Sequence, residues 1–499
     1  MKRFCFVILS VFCVTFGFAQ MSVKDSLKAT KLYEKGLKLY SKNASLKDKQ
    51  KAIRYMEQAG EMGYSLSQFT LLGIEELSPK RKAYWTRKYA DNGVAMYEIV
   101  VAEGYYDGVD GFPCNKDSAY IYISKAATRG NYEAQWLYGK WLWDENKASD
   151  AFKWWYKAAE QNYPAAQLNI GFMYEGGIGT EKNLKEAFLW FEKSANNNYQ
   201  NAFKELGKAY YYGEGCDKDH AKALYWLTKG APTDTKGESQ LLLGLMYKVG
   251  DNCKQNGNLA VKYLTESANY GNANAQMLLG EIYYIGEIEN LNRQESLKWY
   301  TKAAKQGNAA AQCIVGMCLK NADGIDYPNY RKAVEWLKLS AEQGYETAYS
   351  ELGACYESGL GITKNEEQAV YYYRKAAELG NATAQNNLGS CYKRGFGVSQ
   401  NYEEAAKWFG LAAQNGDEIA QYNLGVCYYD GEGVERNWNK AFELFKKAAE
   451  KDEANAQYNL AVMYEKGQGT KKDAKQAKYW YGRAANQGHR EAKIAIRMY

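Results

Sequence analysis

Histidine, the side chain best suited to proton transfer near neutral pH, occurs only twice in 499 residues, at His220 and His489. A Ser-His-Asp or Cys-His arrangement needs its members within hydrogen-bond reach. Histidines so widely separated along the chain are not expected to share a site. There is no H-E-x-x-H and no paired C-x-x-C, so the metal signatures fail as well. Gly-rich turns such as Gly395-Phe396-Gly397 do not continue into the G-K-[ST] of a phosphate loop. One S-x-x-K occurs, Ser390-Cys391-Tyr392-Lys393, but a serine β-lactamase also needs S-D-N and K-T-G, and both are missing. The sequence therefore predicts no catalytic, cofactor-binding or metal-binding residue.

The elements that would have to position any site repeat. Residues 381–416 read NATAQNNLGSCYKRGFGVSQNYEEAAKWFGLAAQNG, and two further copies follow directly. Ala384, Leu388, Cys391 and Tyr392 lie at i, i+4, i+7 and i+8, one stripe of a helix. Gly395-Phe396-Gly397 breaks that helix. Ala405, Trp408, Phe409, Ala412 and Ala413 then mark a second helix, which Gly416 ends. A glycine recurs near the middle of the first helix, at Gly73, Gly139, Gly171, Gly207, Gly244, Gly280, Gly316, Gly353, Gly389 and Gly425, with alanine at Ala102 and Ala461. From Gly171 onward the spacing is 36 or 37, whereas earlier steps are cut short at Leu77-Ser78-Pro79 and Trp143-Asp144-Glu145. Such a unit cannot bury its apolar face alone, so copies must stack into a solenoid. The spine predicts about twelve repeats and a degenerate copy over residues 26–63.

Composition agrees with an elongated array. A single core rarely grows past about 300 residues, and the 46 glycines fall at fixed offsets rather than in linkers. The formal charge of +6 is too small for its length to predict a nucleic-acid partner. Lys2 and Arg3, an apolar run from Phe4 to Phe18 and the small-x-small Gly17-Phe18-Ala19 predict a cleaved export signal over residues 1–19. That run is shorter than the roughly 20 residues of a membrane span, so no membrane insertion of the mature chain is expected. The domain order predicted is a signal at 1–19, a degenerate repeat or cap at 20–63, the array at 64–488 and a capping helix at 489–499. Export places the chain in the periplasm, at the cell surface or outside the cell.

Eight cysteines follow the signal, an even number that invites a disulfide framework. Yet Cys318, Cys355, Cys391 and Cys427 each sit two residues after the spine glycine, one per repeat. Equivalent helices stack roughly 8–10 Å apart, while a bridge needs Cα atoms within about 7 Å. The ladder reads as small buried hydrophobes. Cys216 and Cys253 share a turn position in neighbouring repeats and face the same distance.

The pattern A-x-x-x-L-G-x-x-Y, a G-x-G turn, then K-A-x-x-W-Y-x-K-A-A closed by Q-G resembles the Sel-1-like repeat, a relative of the tetratricopeptide repeat. The resemblance covers roughly residues 60–488 and is eroded toward the N-terminus. It implies an all-α, right-handed superhelical α/α solenoid that serves protein–protein interaction without chemistry of its own, with the first helices lining the concave side. A cysteine-rich branch of the family, in which each repeat carries an internal disulfide, includes proteins described as penicillin-binding or β-lactam-hydrolysing. This chain lacks the paired cysteines of that branch.

Positions that vary between copies are the candidates for binding. On the free flank of the first helix they read Asn386, Ser390 and Lys393 in one copy, Tyr422, Val426 and Tyr429 in the next, and Tyr458, Val462 and Glu465 in the third. The tyrosines and Val426 would form a strip suited to a peptide. Asn169, Asn387, Asn423 and Asn459 sit two residues before the spine, and Gln167, Gln276, Gln312, Gln385, Gln421 and Gln457 four before it. Amides both donate and accept, so these ladders suit either a peptide backbone or bonding between repeats. The predicted partner-binding set is Asn386, Asn387, Lys393, Tyr422, Asn423, Tyr429, Tyr458 and Asn459. The function this predicts is a non-catalytic adaptor for a protein or peptide partner. The rival expectations are a β-lactam-binding or cell-wall enzyme and an envelope glycan-binding module.

Overall fold

The computed structural model describes residues 22–286 and 291–499, and every regular element among them is a helix. The predicted export signal lies outside the described residues. The chain divides into two compact units, Met1–Thr235 and Lys236–Tyr499.

In the second unit, the copy built on Gly389 shows how the sequence makes the repeat. Asn381 caps the first helix, Ala382–Arg394, by accepting from the Ala384 N–H at 2.9 Å. Gly395 ends it in the left-handed region at φ 67°. Asn401 caps the second helix, Tyr402–Gln414, accepting from the Glu404 N–H at 3.0 Å. Each cap contributes about 1 kcal/mol and fixes where a helix starts. The next copies reuse the plan in Glu418–Asp430 with Trp438–Glu450, and in Ala454–Lys466 with Ala474–Asn486.

Two glycines of this copy are required by close approach. A Cβ on Gly389 would lie 2.8 Å from the Phe409 ring, so the second helix packs into the space a side chain would take. Gly397, at φ 64°, would drive a Cβ into the carbonyl of Glu366, at the start of the preceding second helix. The turn glycine is therefore where one copy meets the one before it.

The core of this unit alternates large rings with alanine. Tyr373, Phe409, Phe445 and Tyr481 are buried beside Ala376, Ala405, Ala412, Ala441, Ala448 and Ala484. Each buried ring stabilises the stack by roughly 1.5–3 kcal/mol. Cys355, Cys391 and Cys427 lie in the same layer with at most 1% of their surface exposed. They pack as small hydrophobes, as expected. All eight cysteines among the described residues are free thiols. At the C-terminal end, His489 accepts from the Ala492 N–H at 3.3 Å and starts the short helix Arg490–Ala495.

The first unit departs from the expected register in one place. Helices Val23–Leu39 and Leu46–Glu61 form a regular pair in which a Cβ on Gly36 would lie 2.8 Å from Met56 Cγ. The supposedly degenerate copy thus has its own spine glycine. Gly73, by contrast, is not a spine residue. Helix Ser65–Leu72 is only eight residues long, Gly73 is its C-cap, and nothing approaches a Cβ there closer than the Thr70 carbonyl at 3.7 Å. Pro79 begins the next helix, Pro79–Ala90, within a few residues. The shortened turn at residues 143–145 is real: Tyr132–Asp144 passes to Ala148–Glu160 through Asn146 at φ 62°.

Candidate functional site

The glutamine ladder binds repeat to repeat. Gln385 Nε2 donates to the Ala377 carbonyl at the end of the preceding second helix, at 3.0 Å. Its Oε1 accepts from Asn415 Nδ2, just past the second helix of its own copy, at 3.2 Å. Gln276 makes the same two bonds to the Ala268 carbonyl and Gln306, Gln312 to the Ala304 carbonyl and Gln343, and Gln457 to the Ala449 carbonyl and Gln487. In the first unit Gln135 joins the Ala127 carbonyl and Gln161, and Gln167 joins the Ala159 carbonyl and Asn197. Of the two uses open to these amides, bonding between repeats is the one they have. A buried amide with both groups satisfied is spoken for.

The other candidates gather on one face of the second unit, where first helices of successive copies lie side by side. Asn386 is buried and accepts from Asn423 Nδ2 at 2.9 Å. Lys393 is ion-paired to Glu432 at 2.9 Å. Tyr422 packs on Phe445, with ring centres 5.9 Å apart, and burial pushes its hydroxyl pKa up against an opposing hydrogen bond from Asn459. Tyr429 donates its hydroxyl to Gln468 Oε1 at 2.9 Å, and Tyr458 stacks on His489 at 4.5 Å. The tyrosine strip is therefore half-buried packing within and between copies. Tyr422 meets Phe445 of its own copy, whereas Gln468 and His489 lie beyond the copies of Tyr429 and Tyr458, which no single-helix pattern contains.

A cleft of about 320 Å³ opens on this face, lined by Glu357, Asn387, Ser390, Lys393, Arg394 and Asn423. Three of the eight predicted residues, Asn387, Lys393 and Asn423, line it. Glu357 and Arg394 were missed, although they pair at 2.9 Å across successive first helices. The signal was there in opposite charges 37 residues apart. The side chains of Asn387 and Ser390 have no hydrogen-bond partner among the described residues, while the charged groups beside them are paired.

The titratable groups on and beneath this face are held in their protonated forms. Burial pulls the Lys393 amine pKa down, but hydrogen bonding and the charge of Glu432 outweigh it, so the amine is held as an ammonium. An ammonium cannot serve Ser390 as a base. Burial pushes the thiols of Cys355, Cys391 and Cys427 up to about 11, far from the thiolate a nucleophile needs. His220 stacks on Tyr211 at 5.1 Å, and His489 is a helix cap. No group of three or more metal-ligating side chains occurs among the described residues, and no helix among them is long and apolar enough to cross a membrane.

Stacked helix pairs joined by an amide ladder, with a polar cleft along adjoining first helices, define an α-solenoid repeat protein of the tetratricopeptide-like kind. The chain belongs to the Sel1 repeat family, whose pattern matches twelve segments between residues 29 and 489. One of them covers 29–64, and the next begins at 96, so the irregular stretch around Gly73 is passed over. The match thus starts earlier than the sequence pattern suggested. Among solved structures, a protective antigen present in uropathogenic Escherichia coli strains, displaying an SLR fold, is 30% identical with a TM-score of 0.76. That alignment covers 83% of this chain and 89% of the antigen. A Sel1 repeat protein from Oxalobacter formigenes is 28% identical with a TM-score of 0.52, over 62% of this chain and 89% of that one. Chitin synthase regulatory factor 4 of Schizosaccharomyces pombe is 26% identical over 119 residues, 22% of this chain and 19% of that protein.

Proposed function

We propose that this chain is an exported, non-catalytic adaptor that holds a peptide or protein segment along the first-helix face of its second unit. The observation that carries this reading is the cleft at Asn387 and Ser390. There, two polar side chains without partners sit among charged and amide groups already committed to each other. An extended segment offers backbone N–H and C=O groups at spacings that an amide and a hydroxyl can meet. Export rests on the basic and apolar residues 2–19, and the likeness to a protective antigen is in keeping with exposure outside the cell. The absence of chemistry rests on the ammonium at Lys393 and the protonated thiols of the cysteine ladder. The test is the double variant Asn387→Ala, Ser390→Ala. It should lose the partner retained by the full chain from envelope extract while its melting temperature stays within about a degree, since neither side chain holds the fold. Retention of the partner would remove the cleft from the account.

A further inference from the structure

The amide ladder is broken at Gln421, and the break opens onto a second cleft. Gln421 Nε2 reaches the Ala413 carbonyl at 3.4 Å, but the place of Asn415 and Gln487 is taken in this copy by Lys451. Lys451 Nζ turns instead to the Gly416 carbonyl. Gln421 Oε1 is left buried and without a donor in a side chain that is 7% exposed. Leaving such an acceptor unpaired costs about 1–3 kcal/mol.

Gln421 lines a cleft of about 820 Å³ between the second helices Tyr402–Gln414 and Trp438–Glu450, with Leu411, Leu424, Tyr428, Val434 and Leu444 among its walls. Two differences from the flanking copies meet there, although Gly482 and Leu339 show the same residues in other copies. Gly410 stands where the preceding copy has Arg374 and the following one Lys446, and a Cβ on it would meet nothing within 4 Å. Leu411 stands where other copies have Lys157, Lys193 and Lys302, each with its ammonium over a tryptophan ring. A side chain is removed, a charge becomes aliphatic, and an acceptor loses its donor, all beside one cavity. At the rim, Lys447 enters no ion pair among the described residues, and Lys407, paired with Glu404, lies with Glu403 in the same wall.

We propose that this cleft is a docking site for an extended peptide segment carrying an aliphatic side chain beside an acidic one. A backbone N–H of the segment supplies the donor that Gln421 Oε1 lacks. The aliphatic group fills the space between Leu411, Leu424 and Leu444 that Gly410 leaves open, and the carboxylate meets Lys447. This site lies on the second-helix face and is separate from the Asn387 cleft.

The probe is an array of acetylated hexapeptides with one aliphatic residue and one aspartate at each spacing, read with the full chain and followed by anisotropy on the best binder. Aliphatic–acidic sequences should bind, and Leu411→Lys or Gly410→Arg should weaken them about tenfold. Lys451→Gln is the decisive variant. It restores the ladder, so it should raise the melting temperature while weakening the peptide, a pairing that no folding defect produces. Asn387→Ala should leave the peptide unaffected, which separates this site from the adaptor cleft. An array without aliphatic–acidic preference, or binding indifferent to Lys451→Gln and Leu411→Lys, would overturn the proposal. So would self-association of the chain that Leu411→Lys abolishes, because the occupant would then be a second copy.

Discussion

The Phe409 ring occupies the space that a side chain on Gly389 would fill, with an added Cβ only 2.8 Å from the ring. The same relation joins Gly425 to Phe445 at 2.7 Å and Gly353 to Tyr373 at 2.5 Å. This contact sets how closely the two helices of a copy approach, and the whole period is built around it.

Gly389→Ala should therefore destabilise the chain despite the better helix propensity of alanine. Overpacking of a tight core costs about 1–3 kcal/mol, against a propensity gain of about 1 kcal/mol. Urea unfolding should show a net loss of up to about 2 kcal/mol. Gly410→Ala, with open space around it, should instead be neutral or stabilising by about 1 kcal/mol.

The amide ladder predicts opposite signs at two equivalent positions. Gln385→Ala removes both bonds from a buried site and should cost about 2 kcal/mol. Glu98 takes the ladder position in the first unit, where it pairs with Arg129 at 2.6 Å and leaves Oε2 buried without a partner. Glu98→Gln should gain about 1 kcal/mol, because its amide can donate as the other ladder glutamines do. Denaturation midpoints of the two variants would check both.

The buried thiols predict an alkaline limit to stability. Burial raises Cys391 and Cys427 from an ordinary value of 9.0 to about 11 in the folded chain. Between those values the folded state holds protons that the unfolded state releases. Their contribution is thus complete below pH 9 and is lost as pH rises through about 11. Melting temperature should fall over that window, and less steeply in Cys391→Ala, Cys427→Ala. At pH 8 a thiol reagent should label the exposed Cys114 quickly and the ladder only after unfolding.

Most of the fold was legible because it is written in short-range spacing. The stripe through Ala384, Leu388 and Cys391 and the glycines at each turn are read within one helix or one loop, and twelve registered copies remove ambiguity. Gly73 passes for a spine residue in the sequence because a glycine that caps a helix and one that receives a ring look alike in one dimension. The site was harder, since its contacts join residues 30 or more positions apart. Gln385 with Asn415, and Tyr429 with Gln468, acquire their roles only when copies stack. Lys451 likewise takes its meaning from contacts outside its own helix, its amine on the Gly416 carbonyl and Gln421 Oε1 left without a donor.

The most direct test of the adaptor reading is site-specific photo-crosslinking from position 390 of the full chain in envelope extract, with exposed Tyr371 on a second helix as the control position. The account predicts a discrete crosslinked partner from position 390, much weaker from position 371, and lost when Asn387→Ala is added. Equal crosslinking from both positions, or hydrolysis of nitrocefin by the native chain that Ser390→Ala abolishes, would contradict it.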